Sequence, residues 1–170
     1  IIDNEAKKLV KKANATLYVT EEALQKEYPP NAKAYEDSND DYFTCGVSDV
    51  VIEKEYLFER LPMNSESNHF ILISVGFMDS YRKGQHILIE TVKILKDKGY
   101  SIELRLIGEG KKKEEFEQLA KRLGLEKEVL FLGKISSRET LFQQLKESDI
   151  FLLPSKLEGL PRDIIEALSA

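Results

Sequence analysis

The sequence predicts an α/β fold in which residues 70–170 form a Rossmann-like, doubly wound parallel sheet. Short apolar runs rich in β-branched residues alternate there with amphipathic segments, and the joins between them are short. A continuously apolar run is typical of a strand buried on both faces, and repeated strand–helix units with right-handed crossovers build a parallel sheet. Ligands of such sheets bind beyond the carboxyl ends of the strands.

The first strand–helix unit has the clearest pattern. Residues 70–75 (FILISV) predict a buried strand, and residues 86–98 predict the helix that follows it. Helical spacing places three apolar side chains of that helix on one stripe, namely Leu88, Val92 and Leu95. Gly99 follows directly, and glycine is common just past the end of a helix.

Three further strands are predicted at residues 102–107, 129–132 and 150–153. A helix is predicted at residues 111–123, with Gly124 at its end. Ser136 and Glu139 have the spacing of a capping box, which predicts a short helix after them. The core positions expected in that helix are Leu141, Phe142 and Leu145. Pro161 suits the first position of a helix and predicts a last one.

The first 69 residues have a different pattern. The elements predicted there are a helix at residues 4–13, a strand at residues 16–19 and a helix at residues 21–28. Pro29 and Pro30 end the second helix. Residues 31–69 are acidic and rich in Asn, Asp and Ser, so we expect a linker, with residues 50–52 the best candidate for a short strand.

Composition excludes several classes of protein. The chain has 170 residues, the length of one domain or of one domain plus a fragment, and its 42% of hydrophobic residues exclude general disorder. Its apolar runs are far shorter than the roughly 20 residues that a bilayer span needs, and no signal segment begins it. Cys45 is the only cysteine, so an internal disulfide is excluded, and with His69 and His86 it makes no zinc site. We expect no metal and a reducing, cytoplasmic setting.

The net charge of −5 is concentrated in one segment. Residues 31–60 hold eight acidic and three basic residues, which accounts for the whole excess. Because the rest of the chain is balanced, no basic surface is available and we expect no nucleic-acid partner. The chain begins at Ile1 without Met and stops at Ala170 inside a predicted helix, so we expect a fold truncated at both ends.

The turn between the fourth predicted strand and the last helix is suited to an anion. Gly159 and Pro161 at a helix entrance leave backbone N–H groups pointing away from the strand ends, where the helix dipole also favours negative charge. Glu158 precedes this helix and Glu166 lies in its second turn, and carboxylates are natural acceptors for sugar hydroxyls. On spacing alone, a turn residue and a solvated helix residue explain the two glutamates as well.

Two cations lie at the same edge of the predicted sheet. Arg82 and Lys83 follow the first strand, at the entrance of the next helix. Cations at a helix start oppose the helix dipole, a placement that makes sense if they face a bound polyanion. Exposed charges without a ligand are the alternative.

These residues resemble a known family. Residues 151–168 (FLLPSKLEGLPRDIIEAL) resemble the donor-site signature of the retaining, group 1 (family four) glycosyltransferases, in which two Glu separated by seven residues follow a strand ending in Pro-Ser. Residues 74–84 resemble the family's diphosphate loop, residues 106–110 its second strand end and residues 131–135 its nucleotide-base loop. Residues 13–30 resemble the last strand and helix of the family's first domain.

The resemblance implies one half of a GT-B fold. Members of the family have two Rossmann-like domains, of which the first binds mostly the acceptor and the second binds the nucleotide-sugar donor. By resemblance, residues 1–30 are the tail of the acceptor domain, residues 31–69 are the interdomain segment and residues 70–170 are the truncated donor domain.

The resemblance also implies roles for individual residues. Arg82 and Lys83 would bind the donor diphosphate. Glu158, the candidate catalytic residue, would bind the sugar hydroxyls, and Glu166 would bind the ribose. The remaining implied donor contacts come from the first loop, the base loop and the turn after Glu158: Gly76, Phe77, Lys134, Ile135, Gly159 and Leu160. Phe77 stands where many members have Arg, and Arg82 is the candidate to supply that charge.

The implied function is transfer of a sugar from a UDP- or GDP-type donor to an acceptor hydroxyl, with retention of configuration, in polysaccharide or glycan biosynthesis. No cofactor or metal is required. A glycan, a lipid-linked sugar or a small-molecule acceptor would bind the missing N-terminal domain, and the full-length protein would be cytoplasmic with peripheral association at the inner face of the membrane. The isolated chain is expected to be inactive. Two alternatives share the architecture, a sugar-nucleotide 2-epimerase and a non-catalytic nucleotide-sugar binding module.

Overall fold

The computed structural model describes residues 2–20, 22–31, 43–47, 50–57, 68–156, 158 and 161–170. The chain divides into two compact units, Ile1–Val51 and Ile52–Ala170. None of the helices in the described ranges is long and apolar enough to cross a membrane.

The smaller unit pairs two short parallel strands. Its elements are the helix α1 (Ile2–Lys12), the strand β1 (Ala15–Tyr18), the helix α2 (Ala23–Glu27) and the strand β2 (Phe43–Gly46). β1 pairs with β2 from Ala15↔Phe43 to Tyr18↔Gly46. Tyr18 is buried, and its hydroxyl donates a hydrogen bond to the carbonyl of Tyr28 at 2.6 Å.

The predicted strand at residues 50–52 is wrong, and β2 occurs in the expected linker instead. Residues 50–52 have no strand structure, and Val51 is 66% exposed. Ile52 packs on the core of the larger unit instead of pairing in a ladder. β2 has the sequence FTCG, which is too short and too mixed in polarity to predict a strand. Its pairing with β1, rather than its own pattern, determines its strand conformation.

The larger unit alternates strands and helices, as predicted. Its elements are β3 (His69–Val75), α3 (Gln85–Asp97), β4 (Ser101–Ile107), α4 (Lys113–Arg122), β5 (Val129–Gly133), α5 (Arg138–Lys146), β6 (Ile150–Phe151) and α6 (Arg162–Ser169).

Three details of the predicted elements need correction: a capping residue, the length of a strand and the position of a proline. The residue that caps α5 is Ser137 rather than Ser136, because the hydroxyl of Ser137 accepts the N–H of Thr140 at 3.2 Å. β6 is two residues long instead of four, since Pro154 has no N–H with which to continue the ladder. Pro161 stands one position before α6 rather than at its first turn.

The strand order is β5-β4-β3-β6, and all the strands are parallel. The chain therefore starts in the middle of this sheet, builds outward to β5, and returns to place β6 on the other side of β3. The direction of winding reverses between β3 and β6, and a reversal of this kind opens a crevice at the carboxyl ends of the strands. The confirmed fold class is thus a Rossmann-like, doubly wound α/β sheet.

The core lies on both faces of β3. Leu72 is 5% exposed and packs in a cluster with Leu88 and Val92 of α3 and with Phe116 of α4. Ile73, the next residue, is 1% exposed and packs on the other face in a cluster that includes Phe142 and Leu145 of α5. Successive strand residues point to opposite faces, so one apolar run holds both helix layers.

The loops beyond the strand ends continue the hydrogen-bonded ladder. The N–H of Gly76 donates to the carbonyl of Ile107 at 2.9 Å, and the N–H of Gly108 donates to the carbonyl of Gly133 at 2.8 Å. Gly108 has a φ of +142°, and a Cβ at this position would lie 2.1 Å from the carbonyl oxygen of Gly76. Only glycine allows the two loops to approach this closely.

We expect Gly108→Ala to destabilise the protein more than Gly99→Ala. Gly99 also has a positive φ, +89°, but a Cβ there would meet nothing within 4 Å, so Gly99→Ala should cost about 1–2 kcal/mol through backbone strain alone. Gly108→Ala adds a clash with backbone and should cost about 2 kcal/mol more. Urea unfolding of both variants measures the difference. Equal losses would contradict the close approach.

Candidate functional site

A cavity of about 390 Å³ lies at the carboxyl ends of the larger unit's strands. Its walls come from the segments that follow all four strands of this sheet. The lining residues are Val75, Gly76, Phe77, Lys83, Ile107, Gly108, Glu109, Lys134, Ile135, Glu158, Pro161, Arg162, Asp163 and Glu166. The cavity therefore occupies the edge at which ligands of doubly wound sheets bind.

Most of the site residues proposed from the sequence meet in this cavity. Those that line it are Gly76, Phe77, Lys83, Lys134, Ile135, Glu158 and Glu166. Arg82 is not among the described residues that line it; its carbonyl accepts the N–H of Lys156 at 3.1 Å and joins two loops. Gly159 and Leu160 lie outside the described residues. Phe77 lines the cavity while 73% of its surface is exposed.

A tight turn brings Lys83 to the cavity. The hydroxyl of Ser80 accepts the N–H of Arg82 at 3.3 Å, and residues 81–83 form one 3₁₀ turn that ends at Gly84. Gly84 has a φ of +79°, and a Cβ there would lie 2.7 Å from Pro154. The turn can press against the loop after β6 because Gly84 has no side chain. The aliphatic stem of Lys83 then lies against Gly76, where a Cβ would meet its Cδ at 3.2 Å.

The ammonium of Lys83 lies between two carboxylates. Its Nζ is 2.9 Å from Oε1 of Glu158 and 3.0 Å from Oδ2 of Asp163. The three side chains are 13%, 22% and 12% exposed respectively. One positive charge and two negative charges are thus held together with little access to water.

Burial and the ion pairs act in opposite directions on these groups. Burial lowers the pKa of Lys83, but its hydrogen bonds to Glu158 and Asp163 and their charges outweigh burial and raise the pKa. Burial raises the pKa of Glu158, but its ion pair with Lys83, the nearby hydroxyl of Ser155 and the charge of Arg82 outweigh burial and lower the pKa. At neutral pH the site therefore contains a charged ammonium beside a charged carboxylate.

The pKa of Glu166 is shifted upward, opposite to that of Glu158. It lies one helical turn after Asp163 on α6 and lines the cavity. Burial raises the pKa of the Glu166 carboxyl, the charges of Arg162 and Arg138 lower it in part, and the charge of Asp163 raises it further. A carboxyl in this environment can accept hydrogen bonds from a neutral ligand when it is ionised and can also donate one when it is protonated.

Lys134 and Ile135 line the cavity from the loop after β5. Both follow β5 and precede α5. A neighbouring cavity of about 230 Å³ shares Ile135, Arg162 and Glu166 with the first. The two cavities together extend from Lys83 to the start of α5.

The sequence reasoning missed Asp163 and Glu109. An acidic residue in the first turn of a helix is already explained by the helix dipole, so Asp163 carried no further signal. Its partner Lys83 is 80 residues away in the chain. Glu109 pairs with Lys113 at 2.8 Å, an i,i+4 pair that its spacing could have revealed.

Comparison with known proteins gives one family. The profile of the family described as "Glycosyl transferases group 1" matches residues 56–170. Within the described part of the chain, those residues include the four strands of the larger unit and every residue that lines the main cavity.

Several curated proteins are similar in sequence. Protein CapJ of Staphylococcus aureus is 32% identical over 165 residues, which are 95% of this chain and 38% of CapJ. The uncharacterized glycosyltransferase MJ1059 of Methanocaldococcus jannaschii is 32% identical over 123 residues, 72% of this chain and 28% of that protein. The capsular polysaccharide biosynthesis glycosyltransferase CapH of S. aureus is 35% identical over 108 residues, 60% of this chain and 28% of CapH. The chain thus spans less than half the length of these relatives.

Solved structures are similar in fold. Anabaena HepE, solved in complex with UDP and glucose, matches 97% of this chain and 45% of its own at 21% identity, with a TM-score of 0.66. TarM of S. aureus matches 97% of this chain and 30% of its own at 17% identity, with a TM-score of 0.65. At these identities the likeness shows the fold alone.

The raised pKa of Glu166 leads to a test by pH. In the folded state Glu166 keeps its proton at pH values where the unfolded chain has already lost it. The wild type should therefore lose stability as the pH rises from the ordinary carboxyl pKa through the folded-state pKa, and Glu166→Gln should lack this loss. The stability advantage of Glu166→Gln should grow over that window and then stay constant. Urea unfolding at a series of pH values between about 4 and 8 measures it, and parallel curves for the two proteins would contradict it.

Proposed function

The chain belongs to the glycosyl transferases group 1 family, and on this premise we propose that its larger unit is the donor-binding domain of a retaining, family four glycosyltransferase. The observation that supports the proposal best is the largely buried ammonium of Lys83, held between carboxylates in a cavity where the winding of the sheet reverses. A cation at that edge, beside the start of α6, is the arrangement that a diphosphate requires.

Lys83 is the proposed diphosphate ligand. In glycosyl transfer the bond between the sugar and the diphosphate breaks, and negative charge grows on the leaving diphosphate. A fixed ammonium aimed at that charge lowers the barrier more than it stabilises the ground state. Arg82 is proposed to add longer-range positive potential, which its effect on the pKa of Glu158 supports.

Glu158 and Glu166 are the proposed ligands of the two sugar rings. The lowered pKa of Glu158 keeps it a carboxylate, the strongest kind of acceptor for donor-sugar hydroxyls. Glu166 lies further along α6 and shares the second cavity with Ile135, so it is proposed to bind the ribose, with Lys134 and Ile135 beside the base. Gly76, Phe77, Gly159 and Leu160 complete the proposed set of donor contacts.

The donor is proposed to be a UDP- or GDP-type sugar, and transfer is proposed to need no metal, cofactor or covalent nucleophile. HepE, solved with UDP and glucose, shares the fold and supports a nucleotide-sugar donor. The names of MJ1059 and CapH favour a transferase over an epimerase or a non-catalytic binding module.

The setting proposed for the whole protein is polysaccharide biosynthesis, which the name of CapH supports. We assign residues 1–30 to the end of an acceptor domain, residues 31–69 to the interdomain segment and residues 70–170 to the donor domain. A glycan, lipid-linked or small-molecule acceptor would bind the remainder of the acceptor domain, in the cytoplasm at the inner face of the membrane. The isolated chain is proposed to bind donor without transferring sugar.

Calorimetry with UDP, GDP and ADP tests the donor site on the chain as it is. We expect at least one nucleoside diphosphate to bind, and Lys83→Ala to weaken the diphosphate at least about tenfold while changing binding of the matching nucleoside little. Lys96→Ala is the matched control, because Lys96 also pairs with a glutamate, Glu128, but next to the amino end of β5. No heat with any of the three at millimolar concentration would refute the donor site, and equal losses for diphosphate and nucleoside would refute the role of Lys83.

Glu158→Gln in the full-length enzyme tests the sugar site. We expect sugar transfer to fall by about 100-fold or more, because an amide accepts hydroxyl hydrogen bonds more weakly than a carboxylate. Glu128→Gln is the control, since Glu128 is 21% exposed and paired with a lysine, much as Glu158 is 22% exposed and paired with Lys83. Transfer at the wild-type rate by Glu158→Gln would overturn the assignment.

A further inference from the structure

We propose that Asp163 is a positioning residue that competes with the donor diphosphate for the ammonium of Lys83, and that this competition speeds departure of the diphosphate product. The inference rests on the proposed function, because it concerns the same diphosphate site.

The geometry singles out Asp163 among the acidic residues of the cavity. Its Oδ2 accepts a hydrogen bond from Nζ of Lys83 at 3.0 Å, and its side chain is 12% exposed. Glu158 lies at a similar distance from the same ammonium, 2.9 Å, but already has a proposed sugar to bind. Asp163 has no such ligand, so its contact with Lys83 requires its own explanation.

The charges at this point do not balance. One ammonium faces two carboxylates, so the cluster of Lys83, Glu158 and Asp163 carries a net charge of −1 when all three are ionised. Partial burial strengthens interactions between charges, so the two carboxylates hold the ammonium and an arriving polyanion has to compete with them for it. The charge of Asp163 also acts beyond Lys83, because it raises the pKa of Glu166 on the same helix.

The helix dipole explains why an acid is tolerated at this position but not where its side chain points. Asp163 lies in the first turn of α6, where a negative charge is favourable. An acid with only that role has no need to meet a cation. Here the carboxylate instead contacts a lysine that belongs to the loop after β3, at the far end of the unit's sequence.

During the reaction Lys83 would alternate between Asp163 and the diphosphate as its ionic partner. An arriving diphosphate has to draw the ammonium away from Asp163, which lowers the affinity for donor and product alike. After transfer, Asp163 recaptures the ammonium and the nucleoside diphosphate leaves faster. Product release limits turnover in many enzymes, so faster release compensates for weaker binding.

Asp163→Asn tests this on the chain as it exists, with UDP and inorganic pyrophosphate as probes and calorimetry and stopped-flow mixing as measurements. Asparagine keeps the shape and the hydrogen-bond acceptor but removes the charge. We expect both probes to bind on the order of tenfold more tightly, UDP to dissociate more slowly, and uridine to bind unchanged. Glu128→Gln, which removes a charge from another lysine pair of the same unit, should bind both probes as the wild type does. Asp163→Ser should behave like Asp163→Asn and serves if the latter does not fold.

A Lys83→Gln background separates competition for the lysine from simple repulsion of the diphosphate. There the gain from Asp163→Asn should fall below about threefold, because two residues that act through one contact are not additive. If neither protein that carries Lys83→Gln binds detectably, the test rests on the dissociation rate: UDP must leave Asp163→Asn more slowly than it leaves the wild type, and equal rates would overturn the inference. An undiminished gain in that background would overturn the inference.

The outcomes also separate this inference from the proposed function. If the wild type binds UDP or pyrophosphate and Asp163→Asn binds them equally or more weakly, the competition is refuted and the donor site stands. If neither protein binds either probe at millimolar concentration, both are refuted. Binding by Asp163→Asn alone would support both.

Discussion

The ion cluster of Lys83, Glu158 and Asp163 is the interaction on which the site depends. It joins the loop after β3 to the turn and helix after β6. Charges held this far from water are costly unless each has a partner, and breaking such a cluster by removing one member leaves the others uncompensated. The adjacency of β3 and β6 makes the cluster possible, because it places the ends of these two strands at the same edge. The strand order of the sheet therefore determines which charged side chains meet in the site.

Around this cluster the loops are held by backbone contacts. The N–H of Gly76 bonds to Ile107, and the N–H of Met78 bonds to Glu109 at 2.8 Å, so the ladder of β3 and β4 extends past both strands. Gln85 is 1% exposed, and its side-chain amide donates to the carbonyls of Gly76 and Phe77 at 3.4 and 3.3 Å. A site whose loops are fixed before the ligand arrives loses less entropy when it binds.

The sequence predicts the parts of this fold that local patterns determine. The apolar run of β3 and the stripe of α3 follow from residue type and spacing, and so do the turns at which the helices of this unit end. The pattern of β2 is too weak to reveal it, because its pairing with β1 comes from a distant segment. The same holds for the site. Glu158 and Glu166 can be recognised because they belong to one sequence motif, whereas Asp163 is recognised only through its contact with a lysine 80 residues earlier. Periodicity carries no information about contacts of that separation.

The strand order also has a consequence for how the protein acquires its site during synthesis. Among the described strands of the larger unit β3 is made first and β6 last, yet they are neighbours, with Leu72 opposite Ile150. Contacts between segments so far apart in sequence form late, because the entropy cost of closing a long loop comes before any favourable contact energy. A nascent chain that ends before residue 150 can pair β3, β4 and β5 and bury much of the core around Leu72, but it still lacks both carboxylates that hold Lys83. The candidate site would then be completed only when β6 and α6 have left the ribosome, after β3, β4 and β5 are in place.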